Sequence, residues 1–341
     1  MSSLFVYLTI RFSTKHNLYD SVNSRKIHSG NIPRLGGIGF FSAYFISSFI
    51  LYLRFSHLRI ADPEVYYVIA GCFLIFIMGI LDDLKNLKAI IKLSFQILAA
   101  CLVLYSGLMF SELNFSAIGF NLKLGYFAYP LTLLWIVGIT NAINLMDGID
   151  GQAGCLGGSI ILGYVFIFLN LNINILLIYT SLILVFTIAG FLLFNLAKPN
   201  AKIFMGDVGA QTLGFIIAIL PLIQNNENIE TIPFHFAIAF SMLPILDTIA
   251  AVWRRLRDKK PIGEGDRFHL HHKLMLVGFS ARRALVIFMI FQIIINILTI
   301  AAVLSKGFHS MLILLAILFL GILLFAILHF QKEKIMNYGQ L

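Results

Sequence analysis

Ten long apolar runs and a shorter one at the start decide what this chain can be. They cover roughly residues 38–53, 65–81, 89–106, 129–145, 153–170, 173–194, 208–223, 232–252, 284–305 and 309–330, with the shorter stretch at Met1–Phe12. A run of about 20 such residues crosses a hydrocarbon core as a helix, because only a helix pairs every backbone N–H and C=O within one segment. Strands of a transmembrane barrel alternate apolar with polar residues; these runs do not, which excludes a β-barrel. Composition agrees, since 59% of the 341 residues are hydrophobic and only 12% are charged. A soluble domain is nearer half apolar and a quarter charged. The expected fold is all-α: an integral membrane protein of about 10–11 transmembrane helices, forming a single polytopic domain over residues 1–341.

Smaller features fill in this frame. Met1–Phe12 is too short to span alone and lacks a small-residue cleavage site, so it reads as a truncated first helix rather than a signal peptide. Leu108–Phe127 changes to short alternating pieces around Gly119 and Gly125, the pattern of a small hairpin outside the bilayer. Cys72, Cys101 and Cys155 sit in or beside apolar runs and read as small buried hydrophobes, not as a disulfide or metal set. Alternating sides across eleven spans places twenty-one of the 25 basic residues on one side and Arg54, Arg59, Lys123 and Lys306 on the other. That bias marks the first side as cytoplasmic. It also explains the net charge of +9 as topology, with no nucleic-acid partner needed.

Every polar cluster falls on the cytoplasmic side. These are Arg25–Gly37, Asp82-Asp83, Asn141–Gly151, Lys198–Gly209 and the 253–283 loop, which carries Arg254, Arg255 and Arg257 and then His269, His271, His272 and Lys273. Asn141, Asn144, Asp147 and Asp150 recur every three residues, a spacing that puts them on one face of a helix or 3₁₀ turn; a polar loop with capping Asn and Asp is the alternative. Adjacent Asp82 and Asp83 repel, so a bound cation or a shared proton suits them, unless they only end a helix among Lys85, Lys88 and Lys92. Asp207, flanked by Gly206 and Gly209, stands where an apolar run begins; there a carboxylate can face an ion beside open backbone N–H groups, or simply cap a helix. The histidines lack a cysteine partner set for tetrahedral metal and suit phosphate oxygens instead. Carboxylates for a divalent cation plus basic groups for phosphates are the parts of phosphoryl transfer, and the apolar scaffold makes one substrate a lipid. A lipid or ion transporter would place polar groups near the midplane, yet the middles of these spans are almost free of charge.

At these residues the chain resembles the polyprenyl-phosphate N-acetylhexosamine-1-phosphate transferases of glycosyltransferase family 4. Five motifs carry the resemblance in order: Arg25-Lys26-Ile27-His28 with Pro33-Arg34-Leu35-Gly36-Gly37, Asp82-Asp83, Asn141–Gly151, Phe204–Gly209, and His269-Leu270-His271-His272-Lys273-Leu274. The resemblance implies transfer of a sugar 1-phosphate from a UDP-sugar to undecaprenyl phosphate, with release of UMP and a requirement for Mg²⁺ or Mn²⁺. It implies a multi-pass protein of the bacterial inner membrane, monomeric or homodimeric, that starts an envelope polysaccharide such as O-antigen, teichoic acid or capsule. The His-x-His-His form is similar to the UDP-GlcNAc-using branch; another UDP-N-acetyl sugar, such as a 6-deoxy one, or phospho-MurNAc-pentapeptide are the alternatives. By the same resemblance Asp207 is the metal ligand and Phe204 stacks on uracil. Asn141, Asn144, Asp147 and Asp150 order the nucleotide and metal surroundings, and Arg255, His269, His271 and His272 hold the diphosphate with Lys26 and Arg34 nearby. Asp82 or Asp83 positions or deprotonates the lipid phosphate. Ala210 replaces the family's usual Ser, and Lys260–Asp266 replaces its usual Ser-Pro-Phe-x-Pro-Asp. Glu264 in that loop argues for a neutral donor, since like charges about 4 Å apart near a protein surface repel by about 4 kcal/mol.

Overall fold

A computed structural model describes residues 1–20, 31–55, 64–115, 119–171, 175–223, 232–261, 268–305 and 307–338. Each apolar run becomes a helix, except 232–252, which becomes two. In order they are α1 (Ser2–Lys15), α2 (Gly36–Arg54), α3 (Glu64–Lys85), α4 (Ala89–Tyr105), α5 (Ala128–Leu145), α6 (Gln152–Asn170), α7 (Ile175–Asn195) and α8 (Gly206–Ile219). There follow α9 (Phe234–Phe240), α10 (Met242–Arg257), α11 (Leu270–Leu276), α12 (Ala281–Leu304) and α13 (Phe308–Tyr338). The expected all-α membrane fold stands, with one refinement of the count. Among the described residues seven helices are long and apolar enough to cross a membrane, eight if α9 and α10 form one span, while α4 and α8 are shorter apolar helices.

The run 232–252 is not one straight helix. It breaks at Ser241, and its two halves meet at 82°. The cause is local: a helix would bond the Phe240 carbonyl to the N–H of residue 244, and Pro244 has none. In hydrocarbon that carbonyl cannot stay bare, and Gln292 of α12 donates to it at 3.0 Å. Gln292 also donates to Asn296 at 2.8 Å, and Asn296 donates to the Ser159 carbonyl of α6 at 2.8 Å. A chain of amides therefore joins the break to two other helices.

The hairpin expected within Leu108–Phe127 is present. Strands β1 (Glu112–Phe115) and β2 (Phe120–Lys123) pair antiparallel. Thr132 of α5 accepts the Phe110 N–H at 3.0 Å, and Phe110, Trp135 and Phe234 form an aromatic cluster beneath the hairpin. The three cysteines are free; Cys72 is buried and Cys155 half-buried, but Cys101 is exposed, correcting the expectation that all three are buried. It lies on an outer face of α4 where an apolar thiol costs nothing against lipid.

Helix α8 is the centre of the bundle, packed most closely against α3 and α5 and also against α2. Lipid is as apolar as leucine, so helices in a bilayer associate through close contact at small residues rather than through apolar burial. Here a side chain at Gly79 of α3 would meet the Val208 backbone, and one at Gly37 of α2 would meet the Gly209 backbone. These contacts hold the start of α8 at the polar end of the bundle. Gly79→Val should force α3 from α8 and cost about 1–3 kcal/mol through overpacking, which thermal unfolding in detergent would record as a lowered Tm. An unchanged Tm would show that the close approach is not needed.

Candidate active site

The site is assembled from ends of helices. The Pro33–Gly37 segment lies against the Phe204–Gly206 segment, joined by bonds from Phe204 N to the Pro33 carbonyl at 2.8 Å, Gly36 N to the Phe204 carbonyl at 2.9 Å, and Gly37 N to the Met205 carbonyl at 2.8 Å. Gly206 then opens α8 with φ +74°, a left-handed turn that favours glycine. Any side chain there would collide with the Arg34 carbonyl and the Asp83 carboxylate. Two motifs far apart in sequence thus become one surface.

Arg34 is the hub. Its guanidinium reaches Asp83 Oδ1 at 2.7–2.8 Å through Nη2 and Nε, Asp207 Oδ2 at 2.8 Å, Asn86 Oδ1 at 3.3 Å and Asp20 Oδ1 at 3.6 Å. Burial works against its charge, but Asp83 and Asp207 outweigh that and raise its pKa. Lys92 of α4 is the second cation, 2.8 Å from Asp82 Oδ2 and 3.8 Å from Asp207 Oδ1. The two cations answer the cost of placing carboxylates at the end of an apolar helix.

The paired aspartates have distinct settings. Asp83, with no side-chain exposure, accepts the backbone N–H groups of Asp207 at 2.9 Å and Val208 at 3.1 Å. It caps the start of α8, so the N–H groups expected to lie open beside Asp207 are occupied. Asp82 accepts the Leu87 N–H at 2.8 Å and the Lys92 ammonium. Asp207 is the more open carboxylate, with 22% of its side chain exposed against 4% for Asp82.

Asn144 and Gln211 donate to Asp207 Oδ1 at 2.9 and 3.3 Å. Asn141 does not touch Asp207. It exchanges bonds with Gln96, which in turn donates to Gln211 at 2.9 Å, so it acts through two amides. Helix α5 ends at Leu145 and α6 starts at Gln152, so Asp147 and Asp150 lie on the intervening loop. The shared helical face expected for all four residues is therefore corrected: the spacing of three describes a helix end followed by a loop. Asn195 of α7 ties that loop down, accepting the Gly151 N–H at 2.6 Å while donating to the Ile203 carbonyl at 2.8 Å.

The Asp147 carboxylate bonds to no described residue. Burial, then the negative charges of Asp207, Asp83 and Asp150, push its pKa up to about 8. Such a strained set of hard oxygen donors is what a small divalent cation relieves. Among the described residues no three His, Cys, Asp or Glu side chains converge as a metal cage. An ion held by Asp207 and Asp147 would take its other ligands from water and phosphate, the usual habit of Mg²⁺.

The histidine motif joins from the far side. The His271 ring rests on Gly148, so closely that no Cβ would fit there. Burial, with His272 and His269 nearby, lowers its pKa to about 3, leaving it neutral at ordinary pH. His269 is buried against Asp247, and its ring lies parallel to that of His271 with centroids 5.9 Å apart; the His272 ring is tilted at 45° to His271, with centroids 4.2 Å apart. Arg255 is buried in the last turn of α10, which runs on into the segment read as a loop. Phe204 is half-buried and Asp150 exposed. Lys26 and Glu264 lie outside the described residues.

Asp20, Gln96, Asn195, Gln211 and Asp247 were not singled out from sequence, and Lys92 was named only among the lysines that follow Asp82-Asp83. Only Asp247 carried a usable signal, as a lone charge inside an apolar run.

Membrane helices that end in an ionic cluster around the part-open carboxylate of Asp207 carry the parts of a phosphoryl-transfer enzyme. The family model for "Glycosyl transferase family 4" matches residues 65–225, which hold every carboxylate of the cluster but Asp20. The chain is 34% identical over 288 residues to the "Probable undecaprenyl-phosphate N-acetylglucosaminyl 1-phosphate transferase" of Bacillus subtilis (strain 168), covering 84% of this chain and 78% of that protein. It is 30% identical over 289 residues to the undecaprenyl-phosphate alpha-N-acetylglucosaminyl 1-phosphate transferase of Yersinia pestis, covering 84% and 77%, and 29% identical to that of Escherichia coli (strain K12) over the same shares. The chain belongs to glycosyl transferase family 4.

The raised Asp147 pKa has a testable sign. Between the ordinary carboxylate value of about 4 and about 8 the folded state keeps a proton that the unfolded chain has released, so stability falls as pH rises through that window. With divalent cations chelated, Asp147→Asn should therefore gain Tm over the unsubstituted chain as pH rises from 5 to about 8, and the gain should level off above. A difference independent of pH would contradict the shift.

Proposed function

We propose that this chain transfers GlcNAc 1-phosphate from UDP-GlcNAc to undecaprenyl phosphate, releasing UMP, at the cytoplasmic face of the bacterial inner membrane. The convergence of Asp207, Asp82 and Asp83 with Arg34 and Lys92 at the end of apolar helices supports this reading above all. A water-soluble diphosphate and a lipid phosphate can meet only at such a boundary. The product would start an envelope polysaccharide.

An oxygen of the lipid phosphate attacks the sugar-bearing phosphorus of the donor, the bridge between the two donor phosphates breaks, and UMP leaves with the bridging oxygen. Arg34 and Lys92 draw both anions together and offset their repulsion. A phosphate monoester is already anionic near neutral pH, so no strong base is required. Asp82 and Asp83 accordingly act by position: Asp82 aims Lys92, and Asp83 caps α8 and aims Arg34. Asp207 and Asp147 would hold Mg²⁺ or Mn²⁺, which when bound neutralises the diphosphate. Phe204 offers a ring for uracil, a stack of the kind that contributes about 1–3 kcal/mol.

Purified protein incubated with undecaprenyl phosphate, Mg²⁺ and a panel of UDP-sugars should release UMP with UDP-GlcNAc. UMP release with UDP-MurNAc-pentapeptide or a UDP-6-deoxy sugar alone would change the donor. No release with any donor would overturn the reading.

A further inference from the structure

We infer that Asp247 is a positioning residue for His269, the two forming a carboxylate–imidazole pair that faces the donor phosphates. The inference rests on the reaction proposed above.

Asp247 sits in the apolar part of α10 with 1% of its surface exposed, where a lone carboxylate would be costly. Both of its oxygens are engaged by one short stretch of chain 22 and 23 residues further on. Oδ1 accepts the Leu270 N–H at 2.8 Å, and Oδ2 lies 2.7 Å from His269 Nδ1. An ionised carboxylate only accepts hydrogen bonds, so the proton of the neutral ring is on Nδ1. That leaves Nε2 as the working nitrogen, and Nε2 has no hydrogen-bond partner among the described residues. Where Nε2 donates to a phosphate oxygen, the charge on the ring is balanced by Asp247 rather than left in an apolar setting.

The pair also belongs to the site by position. The parallel His271 ring connects His269 to Gly148, next to Asp147, while Arg255 lies two turns along α10 from Asp247. His271, buried with both ring nitrogens unbonded, wedges the Asp147 loop, whereas His269 has the Asp247 carboxylate behind it.

The substitution Asp247→Asn separates this role from a structural one, because its amide oxygen can still accept the Leu270 N–H. Its NH₂ group would face Nδ1 and move the ring proton to Nε2. In spectra of ¹⁵N-histidine-labelled protein, the unsubstituted chain should show a downfield Nδ1–H signal that is absent in His269→Ala and in Asp247→Asn. Persistence of that signal in Asp247→Asn would overturn the pairing. With Tm unchanged, Asp247→Asn should lower kcat/KM for UDP-GlcNAc by about 10–100-fold and leave KM for undecaprenyl phosphate unchanged. In a His269→Ala background the same substitution should cost less than about twofold, since paired residues are not additive. Equal losses with and without His269 would overturn the inference. Absence of all transfer by the unsubstituted chain would overturn the proposed reaction instead, while the spectrum would still decide the pair.

Discussion

The guanidinium of Arg34, held between Asp83 and Asp207, is the interaction on which the rest depends. Two carboxylates at the end of apolar helices would repel each other and lose their hydration. One planar cation that bonds both turns that repulsion into a fixed geometry. Removing one partner of this part-buried network leaves the remaining charges close together and unanswered, with Asp83 fully enclosed. Lys92 repeats the device between Asp82 and Asp207. Asp207 is thus the carboxylate that both cations share, and it is the more open one. Charge balance and accessibility meet at the same atom pair.

The apolar bundle serves this arrangement by holding α8 still. Glycines on α2 and α3 let its first turn come within backbone contact, and Asp83 caps the amides that such a buried helix start would otherwise leave bare. The break before Pro244 turns α10 so that it brings Asp247 and Arg255 toward the same end as the histidine motif. Amides from α4, α5 and α8 (Gln96, Asn141, Asn144 and Gln211) fill the space between. Gln96, Asn141 and Gln211 bond one another, and Asn144 and Gln211 donate to Asp207, so the polar groups of this low-dielectric interior are answered.

Much of this was legible in the sequence because a bilayer imposes a strong local rule. Apolar runs such as 65–81 and 153–170 lie within α3 and α6, and the alternation of sides grouped the same five polar segments that meet in the structure. Long-range pairing was the illegible part. Nothing near Asp83 says that it caps a helix 124 residues away. Nothing near Asn141 says that Gln96 answers it. The three-residue spacing of Asn141, Asn144, Asp147 and Asp150 looked helical because the first two are; only the geometry shows the chain leaving the helix at Met146. Asp247 was hidden by dilution, a single charge averaged away in the run 232–252.

The proposed reaction requires Asp207 as the point where cation and diphosphate meet. Binding of Mn²⁺ to purified protein in the presence of UDP, followed by electron paramagnetic resonance, tests it directly. The unsubstituted chain should bind one Mn²⁺ whose affinity rises with UDP, and Asp207→Asn, alike in shape but uncharged, should weaken that binding by at least about tenfold, or 1.4 kcal/mol. Equal Mn²⁺ affinity in the two proteins would contradict the assignment and, with it, the mechanism built around this carboxylate.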